Sequence, residues 1–397
     1  MSDTRKTTKP NVPNLRFPGF EGEWENKRIG DIGKFFSGGT PSSSRKDFYG
    51  GEIPFIRSGE IHSDKTELFL TQEGYKNSSA KTVEVGDILL ALYGANSGDI
   101  SISQMRGAIN QAILCIRTNV APVFFKSVWE KHAQKILNTY LQGGQGNLSA
   151  DIVKKITISI PSQIEQAKIA ALFSHLDERI SIQNRLIEDL KKFKCAIVEN
   201  VLNNRHPRMI RLGDIGSYIR GLTYSSNDVV EQNGTFIMRS NNIVNGCSLD
   251  YYNDVVSVNK RISKEQMLQN GDIIICMANG CSALVGKSSF YDGKCPRSIT
   301  VGAFCGIYRS EEPIVKWLFQ TNRYRRYIWN SLQGGNGAIA NLNGEDILRM
   351  SFPIPDAPVK NNCVKLLTSV DFMIENATSL CVLYTSQKEY LLRQMFI

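Results

Sequence analysis

The sequence has few of the residues that build metal sites and covalent catalytic sites. Its 397 residues include four histidines, and its nine cysteines form no CxxC pair. No histidine is placed near the cysteines that crowd into residues 247–305. The sequence therefore gives little support to a metal site or to a Cys–His nucleophile pair. We expect this chain to bind no metal and its thiols to be reduced and mostly buried.

Long apolar stretches are also missing. No run of about 18 apolar residues occurs, and residues 1–15 lack the apolar stretch that a secretory signal requires. We therefore expect no transmembrane helix, no association with a membrane, and a cytoplasmic location, where disulfides are rare.

Nucleotide-binding and methyltransferase motifs are absent as well. The sequence has no GxGxxG string and no NPPY-like tetrapeptide. The single Walker-like string, Gly286-Lys287-Ser288, has Cys281 where a phosphate-binding loop requires glycine. A duplicated active site would have left duplicated acids, bases or nucleophiles. The sequence thus predicts that this chain has no catalytic centre and binds no cofactor.

The chain does contain an internal repeat, in which one pattern of residues occurs twice. Gly30, Asp31 and Gly33 recur as Gly213, Asp214 and Gly216, an offset of 183 residues. Arg57 and Ser58 recur as Arg239 and Ser240, and Asp177 recurs as Asp371 at an offset of 194. The order is kept throughout, so an internal duplication determines the architecture.

Each repeat begins with short apolar runs separated by glycine-rich turns, which are typical of short strands. A helix is expected to follow near Pro122 in one copy and near Pro313 in the other. We predict an α+β fold in which two mixed α/β globular domains are joined by two long helices. The predicted segments are an N-terminal tail at 1–22, a first globular domain at 23–162, a helical spacer at 163–205, a second globular domain at 206–356 and a second helical spacer at 357–397.

Both spacers carry apolar residues at heptad spacing, which predicts two matched helices of about 60 Å. The two apolar stripes can pack against each other, which would form an antiparallel coiled coil with pseudo-twofold symmetry. The alternative is two separate helices, each packed on its own domain. The residues predicted at the helix-pair interface are Phe173, Leu176, Ile180, Ile187, Leu190, Ile197, Leu367, Val370, Ile374, Tyr384 and Leu391.

Several strings in the chain resemble the specificity (S) subunits of type I restriction–modification enzymes. They include NLRFPGFEGEW, the RIGDIGKFFSGGTPSS that follows it, GEIPFIRSGEI and VGDILLALYG. The most specific is QGGQGNLSADIVKKITISIPSQIEQAKIAALFSHLDERI, in which a strand ending in Ile160-Pro161 leads into Glu165-Gln166 and a long helix. The second copy departs from this pattern, because Val359-Lys360 replaces the Glu-Gln pair.

The resemblance implies that each globular domain is a target-recognition domain for one half of a split, non-palindromic target in double-stranded DNA. It also implies a subunit without catalysis of its own, whose helices dock two methyltransferase (M) subunits. Further restriction (R) subunits would join the complex. S-adenosylmethionine, ATP and Mg would then be bound in the partner subunits. The net charge of +9 suits a phosphate backbone, and many proteins that bind no nucleic acid have a similar charge.

Basic and polar residues in the loops are the candidates for DNA contact, because Arg pairs with guanine while Ser and Thr hold phosphates. For any one of them the alternative is an ordinary solvated side chain. The predicted DNA-binding residues are Ser42, Ser44, Arg45, Lys46, Arg57, Gln142, Gln145, Arg220, Thr223, Ser225, Arg239, Gln333 and Asn336.

Two further features of the sequence each have two interpretations. The glycine-rich loops at 142–147 and 333–337 either let the backbone approach phosphates or cap helices. The string RYRRYIW at 323–329 is either a basic flank facing DNA or an aromatic core face with solvated arginines.

Two other functions compete with DNA recognition. One is a self-contained DNA methyltransferase or nuclease with a degenerate motif. The other is a coiled-coil scaffold that joins two protein partners without DNA.

Overall fold

The structure is a computed structural model that describes residues 10–140, 148–202, 208–332 and 340–397. The chain forms two compact units. Unit 1 comprises Met1–Arg185 and Thr378–Ile397, and unit 2 comprises Leu186–Ala377.

Unit 1 is built on short strands joined by tight turns. Its strands are β1 (Glu25–Arg28), β2 (Gly33–Ser37), β3 (Tyr49–Ile56), β4 (Phe69–Leu70), β5 (Lys81–Val83), β6 (Ile88–Ala91), β7 (Ile100–Ile102), β8 (Gly107–Ile109), β9 (Ile113–Thr118) and β10 (Thr157–Ile160). Two four-stranded sheets have the orders β2-β9-β6-β7 and β4-β3-β8-β5, and β1 pairs with β10. All four residues of β6 are buried, as expected for a short apolar run that is covered on both faces.

Four helices begin in unit 1: α1 (Gln72–Lys76), α2 (Pro122–Tyr140), α3 (Ala150–Lys155) and α4 (Gln163–Leu202). Pro122 occupies the first position of α2, where its missing N–H has no helical partner to lose. The core of unit 1 gathers aromatic side chains of α2, α4 and the end of the chain, including Phe124, Phe173 and Phe396.

Unit 2 repeats this arrangement. Its strands are β11 (Arg208–Arg211), β12 (Ser217–Arg220), β13 (Thr235–Met238), β14 (Val256–Val258), β15 (Ile273–Cys276), β16 (Ala278–Asn279), β17 (Ser288–Phe290), β18 (Ile299–Val301), β19 (Cys305–Arg309), β20 (Ala340–Asn341) and β21 (Ser351–Ile354). Its helices are α5 (Leu212–Ile215), α6 (Val315–Leu318), α7 (Asn322–Leu332), α8 (Gly344–Leu348) and α9 (Ala357–Met395).

Most strands of the two units correspond, although β5 in unit 1 and the β16–β20 pair in unit 2 have no counterpart among the described strands. The order β12-β19-β15-β17 matches β2-β9-β6-β7, the order β14-β13-β18 matches β4-β3-β8, and β11 pairs with β21 as β1 pairs with β10. In both units the parallel pair is the equivalent one, β3 with β8 and β13 with β18. The prediction of a duplicated mixed α/β domain with long helices is therefore confirmed.

Within each unit, α4 and α9 run antiparallel. In unit 1, Asp177 lies beside Lys388 and Asn184 lies beside Cys381, so seven residues forward on α4 correspond to seven residues back on α9. In unit 2, Leu190 packs on Val370 and Ile374. Farther along α4, Val198 packs on Leu367, which lies earlier on α9. Apolar packing along antiparallel helices of this kind is what the two heptad stripes predict.

Residues 10–22, part of the predicted polar tail, lack helix and strand but are hydrogen-bonded to the rest of unit 1. The Leu15 amide donates to the carbonyl of Gln394 at 2.9 Å. The guanidinium of Arg16 binds the carboxylate of Glu165 at 2.7 Å, and Glu165 is almost fully buried. The second repeat, which has Lys360 in place of Gln166, uses a different contact: Lys360 Nζ binds Glu312 Oε2 at 2.7 Å.

One described helix, α9, is long and apolar enough to qualify as a membrane span. An 18-residue window within it has a mean hydropathy of 1.3, and 22% of that window is buried. This is weak evidence for a membrane, because it rests on length and composition alone. Part of its apolar surface is already covered, since Val370 packs in unit 2 and Leu392 packs in unit 1.

Candidate DNA-contact surfaces and the helix pair

The same backbone geometry recurs in both units at the ends of the parallel strand pair. In unit 1, β3 ends at Ile56 beside Ile109 of β8. The amide of Gly39, in the loop after β2, donates to the Ile109 carbonyl at 3.2 Å, and the amide of Asn110 donates to the Ile56 carbonyl at 3.3 Å. The loop after β2 and the segment after β3 therefore meet at the end of β8. We call residues 38–46 with Arg57 the unit 1 loop surface.

Unit 2 builds its equivalent from the matching elements. The amide of Leu222 donates to the Val301 carbonyl at 2.8 Å, and the amide of Gly302 donates to the Met238 carbonyl at 2.9 Å. Residues 220–226, after β12, thus meet Arg239, after β13, at the end of β18. We call these residues the unit 2 loop surface.

A glycine permits this close approach in each copy. A Cβ on Gly38 would lie 1.7 Å from the carbonyl oxygen of Ile109, and a Cβ on Gly221 would lie 2.1 Å from the carbonyl oxygen of Gly302. Real Cβ atoms do not come within 3.0 Å of backbone. Each loop can therefore pack against its sheet only with glycine at this point.

The structure gives Arg57 an intramolecular role. Its guanidinium binds Glu60 at 2.8 Å and Glu67 at 2.9 Å. A bidentate contact with guanine would compete with at least one of these ion pairs. Arg57 therefore fixes the turn that follows β3.

Arg239 is held in a similar way in unit 2. Its Nη2 donates to the carboxylate of Asp254 at 2.9 Å and to the backbone carbonyl of the same residue at 3.1 Å. The Arg239 amide also donates to Asn242 Oδ1 at 2.9 Å. Both duplicated arginines thus help to position a loop, and part of each guanidinium is engaged within the chain.

The other predicted DNA-binding residues differ in their surroundings. Arg45 is half exposed, pairs with Asp47 at 2.6 Å and lies over the Phe48 ring. Ser225 caps the turn that ends at Asp228. Five further side chains are exposed and have no acidic partner within 4 Å among the described residues. They are Ser42, Ser44, Lys46, Arg220 and Thr223. Gln142, Gln145, Gln333 and Asn336 lie outside the described residues.

Two polar residues that lie beside the unit 1 loop surface were not predicted. Asn110 and the exposed Gln111 form the turn between β8 and β9, and Thr40 hydrogen-bonds Gln111. The available signal was the polar pair inside the apolar run GAINQAI, which marks a turn between two buried strands.

In the string RYRRYIW on α7, Tyr324 faces the core of unit 2 and two of the arginines are exposed to solvent. Tyr324 and Ile328 are buried in unit 2, and the Tyr324 hydroxyl donates to the Gly286 carbonyl at 2.7 Å. Arg325 and Arg326 are exposed, and so is Trp329.

A cleft with a volume of about 800 Å³ lies in unit 1 where α4 begins. Its lining combines Lys27, Lys34 and Arg117 with Asp31 and Gln166. Arg117 is already paired with Asp87 at 2.6 Å. Across the described ranges, no group of three His, Cys, Asp or Glu side chains is placed to hold a metal ion.

The residues predicted at the helix-pair interface form a buried set and a half-buried set. Phe173, Leu176, Leu190, Leu367, Val370 and Ile374 are buried. Ile180, Ile187, Ile197, Tyr384 and Leu391 are half-buried, and Tyr384 faces the guanidinium of Arg179 at 5.6 Å. Val198 and Leu392 are buried although the heptad pattern placed the stripe one residue earlier, at 197 and 391. A straight helix drifts by about 20° per heptad, which moves the buried face toward the next residue.

Burial and hydrogen bonding have opposite effects on the pKa of Glu60, the partner of Arg57 in the unit 1 loop surface. Burial alone would raise the pKa of Glu60. Hydrogen bonds from the Arg57 side chain and from the amides of Arg57 and Glu67 outweigh it and lower the pKa to about 2, from 4.5. A carboxylate with a lowered folded-state pKa contributes stability above its unfolded pKa and loses it as the pH falls.

Glu60→Gln is therefore expected to destabilise unit 1 by about 2 kcal/mol at neutral pH. The difference from wild type should shrink as the pH falls from about 4.5 to about 2. Denaturant unfolding at stepped pH measures it, with Asp64→Asn, an exposed neighbour, as the control. A difference that stays constant across this range would contradict the assigned ion pair.

Comparisons with known proteins agree with this arrangement. Residues 21–192 match the family model described as the type I restriction modification DNA specificity domain. The chain is 28% identical over 192 residues to the MjaIX type I specificity subunit of Methanocaldococcus jannaschii, a match that covers 45% of this chain and 43% of that protein. It is 32% identical over 149 residues to the EcoKI specificity subunit of Escherichia coli, covering 36% of this chain and 31% of that protein. Each match spans less than half the length of the curated relative.

The fold has a counterpart among solved structures. The S subunit of a type I restriction–modification system from M. genitalium superposes with a TM-score of 0.66 at 14% identity. The match covers 97% of this chain and 99% of that one. At this identity the likeness establishes the fold alone.

Proposed function

We propose that this chain, which belongs to the family of type I restriction–modification specificity subunits, is the sequence-specific DNA-recognition subunit of such a complex. The observation that carries the proposal is the loop surface built twice at equivalent sheet ends. Because the two loops differ in sequence, each unit would read a different half of an asymmetric, two-part DNA target.

The chemistry of the loop surfaces supports contact with a nucleic acid. Lys46 and Arg220 are exposed cations, and cations of this kind supply most of the affinity for a phosphate backbone. Ser42, Ser44 and Thr223 offer hydroxyl groups for phosphate or base edges. Arg57 and Arg239 would act indirectly, by holding the loops in place. Gln142, Gln145, Gln333 and Asn336 remain candidates from the sequence.

The exposed apolar side chains of α9 support docking of protein partners. In unit 2, Phe372 is 63% exposed and Met373 is 49% exposed. In unit 1, Val382, Leu383 and Tyr390 are each more than half exposed. Exposed apolar residues clustered on a helix are typical of an interaction site. We assign this role to two methyltransferase subunits, and restriction subunits would join the same complex.

The chain itself would perform no chemistry. S-adenosylmethionine, ATP and Mg would be bound by the partner subunits. The adenines to be methylated would be flipped out of the duplex into the methyltransferases, because a stacked base cannot be reached. The complex would act on cytoplasmic DNA.

Reconstitution with the cognate methyltransferase tests the proposal. The assembled complex should bind a duplex that carries the two-part target, with affinity falling at least about tenfold between about 50 and 200 mM salt. The purified chain alone should give no heat of S-adenosylmethionine binding in calorimetry. Saturable binding of that cofactor would favour a self-contained methyltransferase. An assembled complex that ignores DNA would favour a protein scaffold.

A further inference from the structure

The two long helices carry the same acid and the same base at equivalent positions. Asp177 and Lys194 lie on α4, and Asp371 and Lys388 lie on α9, with a separation of 17 residues in each helix. Each salt bridge joins the acid of one helix to the base of the other. Lys388 Nζ lies 2.7 Å from Asp177, and Lys194 Nζ lies 3.0 Å from Asp371.

The pair in unit 2 is buried, and both partners make further hydrogen bonds. The side chains of Lys194 and Asp371 are 11% and 10% exposed. Asp371 also accepts from Lys316 at 2.8 Å and from the indole N–H of Trp317 at 3.1 Å. Lys194 donates a second bond to the carbonyl of Gly246 at 3.3 Å. A buried charge pair is tolerated when the remaining donors and acceptors are satisfied in this way.

The pair in unit 1 is arranged in the same way. Asp177 binds Lys388 of α9 and also Lys126 of α2, at 2.5 Å. Glu130 completes the cluster, 2.8 Å from Lys388 and 3.3 Å from Lys126. Burial would raise the pKa of Asp177, but the two ammonium groups outweigh it and hold the pKa below its ordinary value. The helix-to-helix pair is thus supported by a lysine from the globular domain in both units.

The heptad-spaced apolar contacts between the two helices do not by themselves select one alignment. The stripe repeats every seven residues, so a shift by one heptad again places one aliphatic side chain on another, which cores tolerate well. The same shift would place Cys381 or Met395 opposite Asp177, in place of Lys388. It would also move Lys194 away from Asp371. Leaving buried charges without their partners is far more costly than exchanging aliphatic groups.

We propose that the Asp177–Lys388 and Asp371–Lys194 pairs determine the register in which the two long helices align. A buried polar group at a core position has this role in coiled coils, where it fixes register at some expense of stability. Both pairs require the same alignment, because the acid-to-base separation is identical in the two helices. The consequence for the gap between DNA half-sites rests on the proposed function, whereas the register itself does not.

Disulfide trapping tests the proposal with a cysteine that the chain already has. The Sγ of Cys381 lies 3.3 Å from Oδ1 of Asn184, so Asn184→Cys reports the native register. Lys191→Cys, seven residues farther along, reports a register shifted by one heptad. Both are made in a Cys195→Ser background and oxidised in air with copper–phenanthroline. Intramolecular disulfides are then quantified by peptide mass spectrometry.

With the ion pairs intact, crosslinking through residue 184 should exceed crosslinking through residue 191 by at least about tenfold. The Lys194→Met/Lys388→Met double variant keeps both aspartates paired to Lys316 and Lys126, and should raise the shifted crosslink to a comparable level. Lys194→Arg/Lys388→Arg, which keeps the charges, should restore the native preference. Lys192→Met/Lys365→Met, two exposed lysines on the same helices, should change nothing.

A shifted crosslink that stays at background in the methionine variant would overturn the proposal, even if that variant were less stable. If circular dichroism shows that variant unfolded, Asp177→Asn/Asp371→Asn must show the shift instead, or the proposal fails. None of these readouts involves DNA, so a failure here is distinguishable from a failure of the proposed function.

Discussion

Gly38→Ala is expected to remove recognition of one half of the DNA target while the other half is still read. The new methyl group would lie 1.7 Å from the carbonyl oxygen of Ile109, so residues 38–46 must move away from β8. Several contacts of one half-site would be lost together, at about 1–3 kcal/mol each. We expect at least about a hundredfold loss of affinity for the intact target. Gly221→Ala should do the same to the other half, because its Cβ would lie 2.1 Å from the carbonyl oxygen of Gly302.

Competition with duplexes mutated in one half at a time measures this effect. For Gly38→Ala, changing the half that unit 1 reads should no longer weaken binding, whereas changing the other half still should. Gly59→Ala is the matched control in unit 1, since its Cβ would meet only the Asn96 amide nitrogen at 3.6 Å. Gly280→Ala, with nothing within 4 Å, is the control in unit 2. Equal sensitivity to both halves in the Gly38 variant would contradict the assignment of one loop surface to one half-site.

Phe173→Ala and Leu367→Ala are expected to destabilise different units, although they occupy equivalent positions 194 residues apart. Phe173 is fully buried and packs on Phe396, with ring centroids 5.4 Å apart, in unit 1. Leu367 is 1% exposed and packs with Val198 and Trp317 in unit 2. Truncation should lower the unfolding free energy by about 3–5 kcal/mol for Phe173 and about 2–5 kcal/mol for Leu367.

Hydrogen exchange resolved by peptide separates the two effects, because protection should fall mainly in the unit that carries the substitution. The controls are Leu383→Ala in unit 1 and Phe372→Ala in unit 2, both 63% exposed, and each should change stability by at most about 0.5 kcal/mol. Loss of protection spread evenly over both units by either core variant would show that the two units unfold together.

The long helices could be predicted because their signal is periodic and local. An apolar residue at nearly every a and d position is hard to satisfy except by a long helix with a partner, and α4 and α9 have this form. The strands could be predicted for a related reason, since short apolar runs such as Ile88–Ala91 end at glycine-rich turns. Duplication strengthened both predictions, because most of these elements occur in both repeats.

The pairing of loop side chains could not be predicted in the same way. Arg57 was expected at the DNA surface, yet its second carboxylate, Glu67, comes from a loop whose path the sequence does not specify. Asp254 reaches Arg239 from a similar distance along the chain. Lys194 and Lys388 were visible as matched residues in the two stripes, but only the fold brings each to the aspartate of the other helix. Contacts of this kind depend on tertiary structure, which has no periodic signature in the sequence.

Mapping DNA methylation tests the central claim most directly. Cells that lack other methyltransferases of this type would express this chain together with its methyltransferase partner, and methylated adenines would be located by sequencing. We predict a single asymmetric motif of two short specific parts separated by a gap of fixed length, which disappears when this chain is omitted. A continuous or palindromic motif, or methylation that persists without this chain, would contradict the account.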